Sequence, residues 1–267
     1  MKLHFKKIGS GQPLIILHGL FGLLDNWQSM GKQLAEEGFE VYLVDQRNHG
    51  HSPHSDEWNY EVMSDDILEL LNDNGIDKAI LLGHSMGGKT AMHFAIKHPE
   101  RMQKLIVIDI APKHYPVHHD KILEALNSLD LETTSSRKQA EEHLSKYISE
   151  NDTKQFLLKN IYWDEEPRTK NQEPRLAWRF NLSVITKNIE NVGEASPQPS
   201  PNERELSTLI PTVFIRGERS DYILDEDMKL IHDLFPSATL ETIPGAGHWV
   251  HAEKPKEFYE CVMKFIH

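Results

Sequence analysis

The chain has 267 residues, 39% hydrophobic and 26% charged, enough for one large α/β domain or for a core carrying an insertion. Its net charge of −12 sets the average field against nucleic acid and anionic membrane surfaces, and its single cysteine, Cys261, rules out an intrachain disulfide. Residues 1–7 carry no apolar stretch of the secretion-signal kind, and no run approaches the roughly 20 apolar residues that cross a bilayer, so a cytoplasmic protein is expected.

Taken in chain order, short apolar runs alternate with amphipathic segments. The first strand is predicted at 14–17 and is followed by the loop His18-Gly19-Leu20-Phe21-Gly22. A helix at 27–37 leads to a strand at 41–44 and then to the polar loop 45–52, Asp45 to Ser52, expected to be held by its own hydrogen bonds. A helix at 62–74, a strand at 79–82, a helix at 86–98 and a strand at 105–108 come next. Residues 112–207 contain no convincing strand and show helical spacing, as in Ile122, Leu123, Leu126 and Leu129. The proline-rich stretch 194–201 closes this interval. A strand at 212–215, a helix at 225–235, a strand at 239–243 and a helix at 256–266 complete the chain.

Apolar runs without alternation are what parallel strands covered on both faces require. The order therefore predicts a doubly wound, mostly parallel α/β sheet formed by residues 1–111 and 208–267. Residues 112–207 would be a helical cap entering and leaving at the carboxyl rim, with Trp163, Trp178 and Phe180 packing its core or, for one or two of them, lining an acyl pocket. Ligands of such sheets bind at the carboxyl ends of the strands, so residues just after each strand are the candidates for chemistry.

Gly83-His84-Ser85-Met86-Gly87 follows one of these strands and opens a helix. G-x-S-x-G in that context is a nucleophile elbow, a turn so tight that the serine backbone is strained and its Oγ stands above the sheet. A serine hydroxyl needs a base, and His248 lies in Pro244-Gly245-Ala246-Gly247-His248-Trp249, directly after the last strand. Two carboxylates compete to hold its imidazole: Asp221, one residue beyond the usual acid position after 212–215, and Asp109, which ends 105–108. Spacing leaves the two even. The oxyanion donors are assigned to the backbone N–H groups of Met86 and Leu20. The histidine groups His49/His51/His54 and His114/His118/His119 lack the carboxylate or cysteine framework of a metal site, and no metal is assigned.

Five collinear segments carry a resemblance: HGLFGLLDNW (18–27), DQRNHG (45–50), GHSMGGK (83–89), IDIAP (108–112) and GAGHWVHAEKP (245–255). The chain resembles the α/β-hydrolase superfamily and, more narrowly, the small bacterial YbfF-type esterases. The resemblance implies an ester or thioester hydrolase with no cofactor, acting on small-molecule acyl substrates. It also implies that the acid is Asp109, while the presence of Asp221 leaves a shared or substitute role open. Carbon–carbon bond hydrolysis, perhydrolysis and ligand binding without turnover are the rival uses of the same residues.

Overall fold

A computed structural model describes residues 1–116, 119–165, 175–198 and 210–267. Seven strands form one sheet: β1 (Phe5–Gly9), β2 (Gln12–Leu17), β3 (Phe39–Val44), β4 (Ala79–His84), β5 (Met102–Ile108), β8 (Thr212–Gly217) and β9 (Thr239–Ile243). Their spatial order is β1-β3-β2-β4-β5-β8-β9, with β1 antiparallel to β3 and every other pair parallel. All six strands expected from the apolar runs are present. β1 was not anticipated, because Phe-Lys-Lys-Ile-Gly sits at an edge, is half exposed and lacks the continuous apolar character of its neighbours.

Alternate side chains along each strand feed two cores. Ile15, Leu17, Tyr42, Leu81 and Val107 pack on one face, under α2 (Tyr60–Asp73), α3 (Met86–Lys97) and α9 (Met228–Leu234). Leu14, Ile16, Leu43, Ile80 and Ile106 pack on the other, under α1 (Gln28–Glu36) and α11 (Pro255–Ile266). α10 (Val250–Glu253) is a single turn just before α11. Burial on both faces is why these strands read as unbroken apolar runs.

Between β5 and β8 the chain leaves the sheet. It forms α4 (Asp120–Asn127), α5 (Arg137–Leu144), α6 (Asn151–Leu158), a hairpin of β6 (Ile161–Asp164) and β7 (Arg175–Trp178), then α7 (Leu182–Lys187) and α8 (Ile189–Gly193). The hairpin corrects the expectation of an interval without strands. Four residues per strand are too few for a period to show, and the aromatic content of Ile-Tyr-Trp-Asp was the available signal. These elements share a third apolar cluster with Phe21, Trp58, Tyr60 and Met86 of the sheet unit. Phe180 is buried in that cluster and Trp178 packs against it, but Trp163 is 51% exposed, so its assignment to the core was wrong. His118, Pro199 to Pro201 and the 207/208 boundary lie outside the described residues.

Candidate active site

The fourth strand ends at His84 and α3 begins at Met86, leaving Ser85 alone to make the turn. Its backbone sits at φ 52°, ψ −116°, a conformation that costs on the order of 1–3 kcal/mol and persists only where the surroundings enforce it. They do so here. A Cβ on Gly83 would lie 2.2 Å from the Gly87 carbonyl oxygen, and one on Gly87 would lie 2.4 Å from that of Leu17. Ser85 N–H donates to Ile108 O at 2.9 Å, tying the turn to β5.

Met86 N–H is the first of α3, where no intrahelical acceptor exists and the helix dipole favours negative charge. Leu20 N–H lies on the loop after β2. Among the described residues neither amide donates to a protein acceptor. Two buried histidines shape the Leu20 loop. His18 accepts from Gln46 N–H through Nε2 at 3.0 Å and donates through Nδ1 to Gly19 O at 2.8 Å. His49 accepts from Phe21 N–H through Nε2 at 3.2 Å and donates through Nδ1 to Arg47 O at 3.0 Å. Burial pushes His18 down to about 4 and His49 down to about 3, so both stay neutral with one tautomer each. Asp45 accepts from Leu24 N–H at 2.8 Å, and Arg47 pairs with Asp66 at 2.6 Å. Within the loop His51 N–H donates to Asp45 Oδ2 at 2.9 Å and Ser52 N–H to His49 O at 3.1 Å, so 45–52 is held by its own hydrogen bonds, as expected, as well as by these outside partners. The part played by His18 and His49 in fixing the neighbouring loop was not anticipated; the paired segments H-G and R-N-H-G were its only trace.

His248 follows β9 on a loop that turns at Gly245, φ 66°. Its Nδ1–H donates to Asp109 Oδ2 at 2.7 Å. Asp109 directly follows β5 with φ 50° and is wholly buried; its other oxygen accepts from Gly217 N–H at 3.1 Å. Ser220 Oγ, three residues after Gly217, donates to Asp109 Oδ2. The position where an acid was expected after β8 therefore holds a hydroxyl that binds the acid from the neighbouring strand. Asp221 is exposed, and among the described residues no hydrogen bond or ion pair joins it to His248 or Asp109. The Tyr222 ring stacks on His248 at 4.1 Å, and His84 Nε2–H donates to the His248 carbonyl at 2.9 Å, holding the loop from two sides. Spacing had singled out none of Ser220, Tyr222 and His84 for these contacts.

Ser85 and His248 line one cavity of about 270 Å³, with Leu20, Phe21, Trp27, Ile122, Phe156 and Trp249 supplying apolar walls. Among the described residues no hydrogen bond engages the Ser85 hydroxyl; nucleophile–base hydrogen bonds are commonly long without substrate and tighten when it binds. Among the described residues no group of three or more His, Cys, Asp or Glu side chains is placed to hold a metal.

A mostly parallel sheet of this order, with a strained serine between β4 and α3, is the architecture of an α/β hydrolase. Residues 12–255 match the alpha/beta hydrolase fold family. The chain is 34% identical to Esterase YbfF of Escherichia coli, over 96% of this chain and 94% of that protein. It is 36% identical to the sn-1-specific diacylglycerol lipase ABHD11 of Danio rerio, over 97% of this chain and 79% of that protein. Among solved structures, a marine microorganism esterase superposes with a TM-score of 0.91 at 44% identity, covering 99% of each chain. The chain belongs to the α/β hydrolase fold family, and it is a carboxylic ester hydrolase. Among the described residues no helix is long and apolar enough to cross a membrane.

Proposed function

We propose that the chain hydrolyses small-molecule acyl esters, and acyl thioesters by the same chemistry, through an acyl-enzyme on Ser85. His248 takes the hydroxyl proton as Ser85 Oγ bonds to the carbonyl carbon. Asp109 holds the tautomer that leaves His248 Nε2 as the acceptor. The oxyanion that forms faces the Leu20 and Met86 amides. His248 then gives its proton to the leaving oxygen or sulfur as the C–O or C–S bond breaks. A water loses a proton to the same imidazole, attacks the acyl-enzyme and releases the carboxylic acid, and Ser85 recovers its hydrogen. The reaction balances without a cofactor.

The observation that carries this reading is the 2.7 Å contact between His248 and buried Asp109 on the cavity that Ser85 lines. Residues 112–207 act as a cap on the site, a reading supported by Ile122, Phe156 and Leu157, which line that cavity beside the sheet loops. A lone cysteine, Cys261, and a net charge of −12 support a cytoplasmic setting without nucleic-acid partners. A fluorophosphonate probe with p-nitrophenyl acetate tests the chemistry. Ser85 takes the label, and Ser85→Ala loses both the label and ester turnover down to background. Folded protein whose Ser85 stays unlabelled would remove the serine mechanism. Faster cleavage of a vinylogous diketone than of any ester would move the reaction to carbon–carbon bonds.

A further inference from the structure

Ser85 stands between two chambers of unequal size. The larger, about 270 Å³, is the one that His248 lines. The smaller, about 30 Å³, adjoins Ser85 and Met86 and is walled by Tyr60, Ile110, Ile189 and Val192, without His248. About 10–15 Å³ is the least that holds one water, so the smaller chamber, about a ninth of the larger in volume, has room for a short group and not for a chain.

The tetrahedral carbon on Ser85 Oγ carries three other substituents. The oxyanion goes to the amides. The leaving oxygen must lie against His248, because that imidazole supplies its proton. The leaving group therefore extends into the chamber that His248 lines, and the acyl chain points the other way. We propose that the small chamber is the acyl pocket and restricts the enzyme to short acyl groups, acetyl and propionyl, while the large apolar chamber takes the alcohol portion. This rests on the serine mechanism proposed above.

The small chamber is built to keep its size. Tyr60 Oη donates to Val192 O at 2.8 Å, and Tyr115 N–H donates to Gly193 O at 2.8 Å. Lys89, one turn after Ser85 and 1% exposed, donates from Nζ to Glu194 O at 2.6 Å and to Lys113 O. These bonds join the two ends of the excursion to each other and to α2 and α3. Widening the chamber would break several buried hydrogen bonds at once, so a longer acyl chain meets a stiff wall.

The test is a series of p-nitrophenyl esters, acetate, propionate, butyrate and octanoate, with active sites counted by fluorophosphonate labelling. In the wild type, kcat/KM for acetate exceeds that for octanoate at least tenfold. An alcohol series of near-equal leaving-group acidity, methyl, butyl and octyl acetate, rises with alcohol size. Ile189→Ala with Val192→Ala opens the small chamber and shifts the butyrate-to-acetate ratio up at least tenfold, whereas Phe156→Ala in the large chamber leaves that ratio unchanged. Labelled wild type that prefers octanoate to acetate overturns the inference and leaves the serine mechanism standing. The inference fails in the same way if the opened variant is folded and labelled but its ratio does not move. Protein that takes no label and turns over no ester overturns the mechanism and the inference together. Should the double variant fail to fold, the two wild-type series decide by themselves.

Discussion

Replacing Asp109 by asparagine probes the site at the point where two readings diverge. The buried carboxylate accepts three hydrogen bonds: from His248 Nδ1–H at 2.7 Å, from Gly217 N–H at 3.1 Å and from Ser220 Oγ. Asparagine keeps one acceptor oxygen and turns the other into an NH₂ donor. The Gly217 N–H can only donate, so the amide oxygen stays on that side. The NH₂ then faces His248 and Ser220. Ser220 can rotate its hydroxyl and accept. His248 Nδ1 must also accept, which moves the imidazole proton to Nε2, where it blocks the transfer from Ser85. A wrong tautomer of this kind costs about 10⁴-fold in kcat in a comparable triad, or about 5.5 kcal/mol of transition-state stabilisation. The expected result for Asp109→Asn is a loss of about 10³–10⁴ in kcat for p-nitrophenyl acetate, with the thermal melt showing a folded protein. Asp221→Asn, at an exposed position, stays within about twofold. Asp109→Asn retaining a tenth of the activity, or Asp221→Asn losing more than Asp109→Asn, would refute the reasoning.

Four further expectations follow from the same contacts. Ser220→Ala deletes the hydroxyl bound to Asp109 Oδ2 and lowers kcat about tenfold with KM unchanged, as steady-state kinetics will report; a change confined to KM would place Ser220 in substrate binding instead. His18 and His49 titrate near 4 and 3 when folded and near 6.5 when unfolded, so the unfolded chain binds more protons in between, and stability falls as pH drops below 6.5. From pH 7 to pH 5 the loss is about 2 kcal/mol per histidine, readable by urea titration at the two pH values; a flat profile contradicts it. Burial likewise pulls Lys89 from 10.5 down to about 7, so stability rises with pH across that window, and Lys89→Met flattens that part of the curve. Gly87→Ala drives a Cβ to 2.4 Å from Leu17 O and destabilises the fold by about 3 kcal/mol or more, seen as a lowered melting temperature or loss of soluble protein.

The parallel sheet was legible because helices cover both its faces, which forces unbroken apolar runs such as Ala79 to Leu82. An edge strand such as Phe5–Gly9 faces no such demand, and neither do four-residue strands in a hairpin. Both escaped for that reason. The elbow was legible for a different reason: a Cβ at Gly83 or Gly87 would strike backbone, so sterics write the glycines into the chain. The chambers on either side of Ser85 were not legible, because their walls come from α2, α4, α6, α8 and the residues before α4, whose packing against the sheet loops no periodicity encodes.

The acid is the instructive case. Along the chain, Asp109 and Asp221 are more than a hundred residues apart, and each follows an apolar strand, so spacing cannot rank them. In space their strands are neighbours: β5 pairs with β8, Ile108 lies opposite Ile215, and Asp109 N–H donates to Ile215 O at 2.8 Å. A carboxylate at the end of either strand therefore reaches nearly the same point beside the histidine loop. One carboxylate is enough there, because a second would place like charge against the first in a buried site. Asp109 holds that point with φ 50°, so the matching position after β8 needs a donor rather than another acid, and Ser220 supplies it. Asp221, one residue further on, is carried out into solvent. Of the two carboxylates it is Asp109 that meets the His248 imidazole, and the serine at the usual acid position after β8 binds that same carboxylate.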